Sequence, residues 1–362
     1  MNRCTRCYMP DTRPGSHFVN GVCGACRNYD KRKDIDWAAR WDELKELCDQ
    51  NRFEFLYDCL IPVSGGKDSY TLVKIMVEDM GMHPLLVTVS DSFTHTRAGT
   101  QNLRNLIERY NLNHWQYTIS HDLFKRATRA AFEATGEALK FVEAAIYMIP
   151  FKLAQTMHIP LVVFGENSAY EYGSMEEDTG NANLAILNLN YKMGQESEWW
   201  KAEGLSTFEI ESIRPNLRIP FMPRVLFMSY FTPWSSVTNL AIAQQHGFEM
   251  LNEVQPEWER QGTIEQFEQI DSVAYMVHLW LKYPKFGFQR ALDIASRRCR
   301  EGWMTLDEVK RVAVEIDPIL DPLARFDFCD TLGYTRDQFW TIVENLWNRD
   351  LFEKKGNQWT LK

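Results

Sequence analysis

The sequence lacks any long apolar run. A transmembrane helix needs about 20 consecutive apolar residues, and no stretch of the chain approaches that length. The first residues, MNRCTRCYMP, are polar and contain cysteine, so they do not form the apolar core of a signal peptide. We therefore expect a cytoplasmic protein with no membrane partner.

The chain also lacks an excess of basic residues. Lysine and arginine total 40 against 49 aspartates and glutamates, which gives a formal net charge of −9 over 362 residues. Because nucleic-acid binding depends on phosphate contacts with a basic face, we expect no nucleic-acid partner. The apolar fraction of 45% is ordinary for a soluble protein and leaves room for one large or two medium domains.

Cysteine is scarce, and half of it lies near the start of the chain. Of eight cysteines, four form two close pairs, Cys4-x2-Cys7 and Cys23-x2-Cys26. This spacing is typical of a four-cysteine zinc site. Four thiolates leave no open position for water, so we predict a structural zinc ribbon over residues 1–30. Free thiols and an iron–sulfur cluster are the alternatives.

A glycine turn lies between an apolar run and a helical pattern. Residues 56–63 read as a strand and residues 70–80 as a helix, and between them stands the sequence SGGKDS. Paired glycines let backbone N–H groups approach an anion, and the start of a helix is the positive end of its dipole. The turn is therefore predicted to bind a phosphate chain, through Ser64, Gly65, Gly66, Lys67, Asp68 and Ser69.

Strand and helix patterns alternate from residue 56 to residue 164, which predicts a parallel sheet with helices on both faces. In such a sheet, ligands bind beyond the carboxyl ends of the strands. Three segments follow strand ends: the glycine turn, Ser90–Phe93 and Gly165–Gly173. They add candidate site residues, with ordinary turns or helix caps as the alternative explanation for each: Asp91, Gly165, Glu166, Asn167 and Glu171.

The remaining segments complete the predicted organisation. Residues 31–55 read as a linking helix, 56–175 as the α/β core, 176–236 as an insertion or flap, and 237–362 as a mostly helical region. Four prolines predict largely extended chain over 214–236. Lys285 and Arg290 could reach phosphate groups, whereas the run Arg297, Arg298 and Arg300 is interpreted as a solvated helix face.

The glycine turn departs from the usual P-loop, because Asp68 follows the lysine and no glycine stands five residues before Gly66. It resembles the SGG-x-DS signature of the PP-loop ATP pyrophosphatases. That resemblance implies an adenine nucleotide alpha hydrolase-like α/β fold that binds ATP and Mg²⁺. It implies transfer of AMP to a carbonyl oxygen, release of pyrophosphate and displacement of AMP by a nucleophile.

Further segments narrow the resemblance: PDTRPG at 10–15, IPVSGGKDSY at 61–70, LKFVE at 139–143 and FGENSAYEYG at 164–173. Together they resemble the N-acetyl sugar amidotransferases of bacterial surface-polysaccharide synthesis, including lipopolysaccharide and pseudaminic-acid-type sugars. The resemblance implies that ATP adenylates the N-acetyl carbonyl of a nucleotide-linked sugar and that ammonia displaces AMP, leaving an acetamidino group. Lys67 would offset charge on the departing pyrophosphate, and Asp68, with Glu166 or Glu171, would hold Mg²⁺.

Ammonia requires a source. An amino-terminal-nucleophile glutaminase would need cysteine at position 2, where this chain has Asn2, and the other cysteines lack the flanking glycines of a nucleophile elbow. We therefore expect a separate glutaminase subunit and an ammonia-channel subunit, like the imidazole-glycerol-phosphate synthase pair. The family resemblance implies the same.

Two other functions are possible for this sequence. A PP-loop tRNA thiolase also joins cysteine pairs to such a loop, but it needs a basic face and reactive cysteines near ATP. Cys59 is predicted to lie on the strand before the loop, which favours a buried thiol. A catalytically silent zinc-ribbon subunit is disfavoured by the complete loop.

Overall fold

The fold is described from a computed structural model that covers residues 1–52, 56–356 and 358–362. The N-terminal part is a small hairpin followed by two helices, and the last three residues of the predicted linking helix, 53–55, lie outside the described residues. The elements are β1 (Phe18–Val19), β2 (Val22–Cys23), α1 (Gly24–Lys31) and α2 (Trp37–Gln50).

The central part alternates strands with helices. Its elements are β3 (Cys59–Pro62), α3 (Lys67–Lys74) continued by a π-helical turn (Ile75–Asp79), β4 (Pro84–Ser90), α4 (Arg97–Tyr110), β5 (His114–Thr118), α5 (His121–Thr135), α6 (Lys140–Met157), β6 (Leu161–Phe164) and α7 (Ser168–Glu171).

Three helices, a strand and a short helix follow, and then a mostly helical region closed by a hairpin. These elements are α8 (Asn183–Gln195), α9 (Ser197–Ala202), α10 (Thr207–Ile213), β7 (Arg224–Phe227), α11 (Met228–Phe231), α12 (Ser236–Gln245), α13 (Leu251–Val254), α14 (Tyr275–Trp280), α15 (Lys282–Phe286), α16 (Arg290–Arg300), α17 (Leu306–Glu315), α18 (Pro322–Leu332), α19 (Arg336–Leu346), β8 (Phe352–Lys355) and β9 (Gln358–Leu361).

The predicted α/β class is confirmed: five strands form a parallel sheet in the order β5-β4-β3-β6-β7. The apolar side chains of β3 and β6 are buried on both faces, as expected for a parallel sheet covered by helices. Because β3 is central, the glycine turn after it lies at the middle of the carboxyl edge. No helix among the described residues is long and apolar enough to span a membrane.

The fifth strand was missed by sequence reasoning. Residues 214–236 were predicted as largely extended chain, yet Arg224–Phe227 pairs with β6 at the edge of the sheet. The strand is short and begins directly after Pro223, a position where a sheet tolerates proline because no ladder hydrogen bond is lost. The proposed boundary between the core and an insertion of 176–236 stays a prediction, and one strand of the sheet comes from the second segment.

The cysteine-bearing segment packs against the loop after β6 through two glycines. A Cβ on Gly173, whose φ is +77°, would lie 2.1 Å from the backbone nitrogen of Ala25. A Cβ on Gly24 would lie 2.4 Å from the carbonyl oxygen of Gly173. Only glycine permits this approach, so the start of α1 and the segment 165–173 are held backbone to backbone.

Gly173→Ala should therefore destabilise the protein by two separate effects. Left-handed backbone costs a residue with a Cβ about 1–2 kcal/mol, and overpacking against α1 adds about 1–3 kcal/mol. The control is Gly204→Ala, because Gly204 has a φ of +89° but nothing within 4 Å of its Cβ position. Denaturant unfolding should show a larger loss for Gly173→Ala, and equal losses would contradict the close packing.

Candidate functional site

The glycine turn links the end of β3 to the start of α3. Gly66 is the N-cap residue and the helix begins at Lys67. Gly65 has a φ of +83°, and a Cβ there would lie 2.6 Å from the backbone nitrogen of Leu103 in α4. Within the turn, the Ser69 hydroxyl accepts a hydrogen bond from the Ser64 N–H at 3.1 Å. The turn is thus fixed in shape and lies at the positive end of α3.

Lys67 is the buried cation of this turn. Its side chain is 5% exposed, and Nζ lies 2.8 Å from Asp68 Oδ2 and 3.2 Å from Glu268 Oε1. Burial alone lowers the pKa of Lys67, but the two carboxylates outweigh that effect and raise it above its ordinary value. The lysine therefore stays charged, which suits contact with a phosphate group.

Glu268 is a site residue that sequence reasoning missed. It lies in the irregular segment between α13 and α14, and its side chain is 4% exposed. Burial raises its pKa, but Lys67 and Arg290 lower it well below the usual range. The Ser236 hydroxyl also donates to it. No motif surrounds this glutamate in the sequence, so only its buried ion pairs identify it.

Asp68 is more open than its neighbours. Its side chain is 45% exposed, and Oδ1 accepts a hydrogen bond of 2.7 Å from the Asn239 amide. Because Asp68 is accessible from solvent and lies beside Lys67, it fits the predicted contact with Mg²⁺, an ion that takes oxygen ligands. That role stays a prediction.

The run Arg297, Arg298 and Arg300 of α16 was interpreted as a solvated helix face, which is wrong for Arg297 and Arg300. The Arg290 guanidinium donates to the Tyr172 hydroxyl at 2.7 Å and pairs with Glu268. Arg297 binds Glu166 at 2.6 Å, and Arg300 donates to the thiol sulfur of Cys7 at 3.7 Å. Spacings of seven and three residues put these arginines on one face of a helix. That face is turned toward the site. The helical spacing of these arginines indicated a shared face, whereas the interpretation from the sequence considered only their charge.

The segment after β6 supplies two more carboxylates. Glu171 is 8% exposed, with one oxygen paired to Arg32 and the other 3.7 Å from Arg297. Glu166, at 28% exposure, also pairs with Arg297. The structure therefore brings the predicted carboxylates together with the α16 face, and Glu166 is the more accessible of the two.

Gly165 and Asn167 have local structural contacts. A Cβ on Gly165 would lie 3.0 Å from the indole ring of Trp234, which explains the glycine. Asn167 caps α7, accepting from the Tyr170 N–H at 3.3 Å, and its own N–H donates to the Ser229 hydroxyl at 2.9 Å. Their predicted contact with nucleotide stays a prediction.

Asp91 directly follows β4, which pairs with β3 on the side opposite β6. Its carboxylate accepts from the Phe93 N–H at 2.9 Å and from the Ser272 hydroxyl at 2.8 Å. Burial raises the pKa of Asp91. Burial, followed by the charge of Asp91, raises the pKa of the neighbouring Asp271 to about 6. The aspartate thus holds its own turn against the C-terminal region, and its contact with ATP stays a prediction.

The four N-terminal cysteines form a buried cluster. The Sγ atoms of Cys4, Cys7, Cys23 and Cys26 all lie within 4.8 Å of one another, with Cys4–Cys26 at 3.9 Å and Cys7–Cys23 at 3.6 Å. One tetrahedral ion with metal–sulfur bonds of about 2.3 Å separates its thiolates by about 3.8 Å. The cluster therefore fits a single metal ion, and the Arg300 guanidinium beside Cys7 would offset part of the thiolate charge.

Two cysteines outside this cluster, Cys48 and Cys59, do not offer a reactive thiol. Cys59 is fully buried on β3, as its strand position predicted, and burial raises its pKa well above the usual value. Burial also raises the pKa of Cys48 to about 12. Both side chains therefore remain protonated thiols in the folded protein.

We expect the purified protein to contain one zinc ion per chain, measured by elemental mass spectrometry. Cys7→Ser should lower the zinc content and destabilise the protein, because a structural ion contributes its binding energy to folding. The control is Cys299→Ser, since Cys299 lies outside the cluster and is half-buried. Visible absorbance with bound iron in anaerobically purified protein would contradict zinc.

Glu268→Gln removes the buried carboxylate shared by Lys67 and Arg290. Breaking a buried ion pair leaves an uncompensated charge, so the free energy of unfolding at pH 7 should fall by about 3 kcal/mol. The control is Glu108→Gln. Glu108 is 61% exposed and pairs with Arg104 on the surface, so its loss should cost less than about 1 kcal/mol.

The same variant has a defined pH dependence. Because the folded pKa of Glu268 is lowered, its stabilisation is complete above the unfolded-state pKa of about 4.3. It is lost as the pH falls through the folded value. The stability difference between the wild type and Glu268→Gln should therefore shrink below about pH 4. A difference that stays constant into strong acid would contradict the assigned charge.

Comparison with known proteins gives a family match for part of the chain. Several solved structures are similar to it with low TM-scores, among them the following three. NH3-dependent NAD synthetase from Campylobacter jejuni has 14% identity and a TM-score of 0.30, over 49% of this chain and 92% of its own. NMN synthetase from Francisella tularensis has 12% identity and a TM-score of 0.33, over 84% of this chain and 96% of its own. The U34-tRNA thiolase NcsA from Methanococcus maripaludis, with its [4Fe-4S] cluster, has 11% identity and a TM-score of 0.31, over 92% of this chain and 96% of its own.

TM-scores this low do not establish a relationship, and no curated protein matches the chain. The informative match is to a family model. Residues 261–362 match the model described as "LPS biosynthesis protein WbpG-like, C-terminal domain". This confirms, for the C-terminal part of the chain, the predicted resemblance to proteins of bacterial surface-polysaccharide synthesis.

Proposed function

We propose that this protein is an ATP-dependent amidotransferase of lipopolysaccharide or related surface-glycan synthesis. It would adenylate the N-acetyl carbonyl of a nucleotide-linked sugar and let ammonia displace AMP. The product would carry an acetamidino group in place of the acetamido group.

One observation supports this proposal above the others. The buried Lys67 of the glycine turn is paired with Glu268, which in turn pairs with Arg290. Glu268 and Arg290 both lie within residues 261–362, the region that matches the LPS-biosynthesis family model. The glycine turn and the segment that matches the LPS-biosynthesis family model therefore contribute side chains to one buried site.

The first step in this proposal is adenylation. The amide oxygen of the N-acetyl group attacks the α-phosphorus of ATP, and the bond to pyrophosphate breaks. The backbone of the glycine turn and the positive end of α3 would bind the departing phosphates, with Lys67 offsetting their charge. Asp68 and Glu166 would hold Mg²⁺, which supplies further charge neutralisation on the phosphates when bound.

The second step uses ammonia. Nitrogen attacks the carbon of the adenylated amide, the carbon–oxygen bond to AMP breaks, and protons leave the nitrogen to give the amidine. In the balance, amide, ammonia and ATP become amidine, AMP and pyrophosphate. The thiols of Cys48 and Cys59 are buried, and burial raises the pKa of each, so neither suits the nucleophile of a glutaminase. A separate glutaminase subunit and an ammonia-channel subunit are therefore part of the proposal. In the same proposal, zinc at the four N-terminal cysteines is structural.

The test is mass spectrometry of the product formed by the full-length protein. With ATP, Mg²⁺, ammonium chloride and a panel of nucleotide-linked and free N-acetyl sugars, we expect AMP together with the mass change of oxygen replaced by NH. Glutamine should not replace ammonium in the absence of a partner. AMP without this mass change, or use of glutamine by the isolated chain, would contradict the proposal.

A loop variant refines the test. Asp68→Asn keeps the shape of the side chain but removes its charge, so the rate should fall roughly a hundredfold because the variant holds Mg²⁺ less well and the departing pyrophosphate loses charge neutralisation. The control is Asp42→Asn, whose side chain is 74% exposed and pairs with Lys45 on α2. Unfolding free energies of both variants should stay close to that of the wild type, and equal rates would remove Asp68 from the mechanism.

A further inference from the structure

An open cavity of about 330 Å³ lies beside α1 and is walled by aromatic rings. Trp234 is buried at 4% exposure, whereas Trp303, in the turn after α16, is 61% exposed. Trp37 completes the aromatic wall, and Arg32 and Lys33 add positive charge. The volume is within the range of small-molecule sites, and aromatic faces with nearby cations suit a planar ring that carries a phosphate.

Two contacts join this cavity, the tryptophan pocket, to the candidate site. The indole of Trp234 lies 3.0 Å from where a Cβ of Gly165 would be, directly before Glu166. Arg32 pairs with Glu171. Within the pocket wall, the hydroxyl of Ser235 donates to Glu301 at 2.9 Å. The pocket therefore borders the candidate site, and the two together are called the cleft.

Two much smaller cavities, of about 10 Å³ each, lie on the side of the pocket nearer the candidate site and share Glu301 with its wall. Arg297, Arg298 and Glu268 line one of them. The guanidinium carbon of Arg298 and the Nζ of Lys67 each lie 5.8 Å from the ring centre of Phe267. Among the described residues, no carboxylate forms an ion pair with Arg298, so this cation remains available to an anionic ligand.

We propose that this cleft binds the nucleoside-diphosphate part of the sugar acceptor, an inference that rests on the proposed function. The base stacks in the tryptophan pocket, and Glu301 accepts from a ribose hydroxyl, as acidic residues do in dinucleotide sites. Arg298 binds the diphosphate beside Arg297. The N-acetyl sugar then extends toward Lys67, where adenylation takes place.

The sheet order separates this ligand from ATP. The glycine turn follows the central strand β3, and Asp91, the predicted adenosine contact, follows β4 on one side. Trp234 and Ser235 follow β7 and α11, on the opposite side of β3. Two nucleotides can thus approach the turn from opposite halves of the carboxyl edge without sharing a base pocket.

Calorimetric titration tests the cleft directly. UDP, CDP and GDP are titrated into the full-length protein saturated with a non-hydrolysable ATP analogue, and we expect at least one to bind. Trp303→Ala should raise its Kd at least about tenfold, as expected for loss of a base–aromatic stack. Trp303→Phe should restore most of the affinity. The control is Trp115→Ala, because Trp115 is 51% exposed on β5, away from the cleft.

The phosphate half has its own variant. Arg298→Gln should weaken a nucleoside diphosphate but leave the corresponding nucleoside unchanged. The inference is overturned if no nucleoside diphosphate binds, if binding is unchanged in both Trp303→Ala and Arg298→Gln, or if the ATP analogue displaces the ligand. Binding of a partner protein, and of no nucleotide, to the face around Trp303 would also overturn it.

The test of nucleotide binding in the cleft can succeed or fail independently of the test of the proposed reaction. Nucleoside-diphosphate binding in the cleft without any acetamidino product would refute the reaction and leave the site. An acetamidino product formed equally well from free N-acetyl sugars, without nucleoside-diphosphate binding, would support the reaction and refute the site.

Discussion

The buried ion pair between Lys67 and Glu268 is the interaction on which the candidate site depends. Neither side chain is more than 5% exposed, and a buried charge without its partner costs several kcal/mol, about 3–5 by the usual measure. Arg290 shares Glu268 and reaches Tyr172 in the segment after β6. The C-terminal region and two strand ends of the sheet are therefore held in one arrangement by charge.

The cysteine cluster extends this arrangement. Helix α16 carries Arg297 against Glu166 and Arg300 against Cys7, while Gly24 and Gly173 bring the backbones of α1 and the site segment into contact. An ion at the four cysteines would thus stabilise the same helix that presents arginines to the site. Such an ion would have a structural role, because it would position side chains and four thiolates leave no place for a substrate.

Local patterns predicted the elements closest to the turn, because strand and helix periodicity and glycine geometry are properties of neighbouring residues. The strand and the helix predicted on either side of the turn, over residues 56–63 and 70–80, correspond to β3 and to α3 with its π-helical turn, and the cysteine spacing correctly placed four thiols together. Strand β7 was missed because the four prolines of residues 214–236 predicted extended chain, and its pairing with β6 leaves no local pattern. Glu268 was missed because its ion pair with Lys67 joins residues that are distant in the sequence and leaves no local pattern. The spacing within α16 showed that its arginines share one face, but whether that face is turned inward depends on distant partners such as Glu166.

The most direct measurement is an experimental structure of the full-length protein with a non-hydrolysable ATP analogue and Mg²⁺. We expect the β- and γ-phosphates on the backbone N–H groups of the glycine turn, with Lys67 in contact and still paired with Glu268. The adenosine should extend toward Asp91 and leave the tryptophan pocket free. Phosphates bound away from the turn, or a turn that holds no phosphate at saturating analogue, would contradict the assignment of this site.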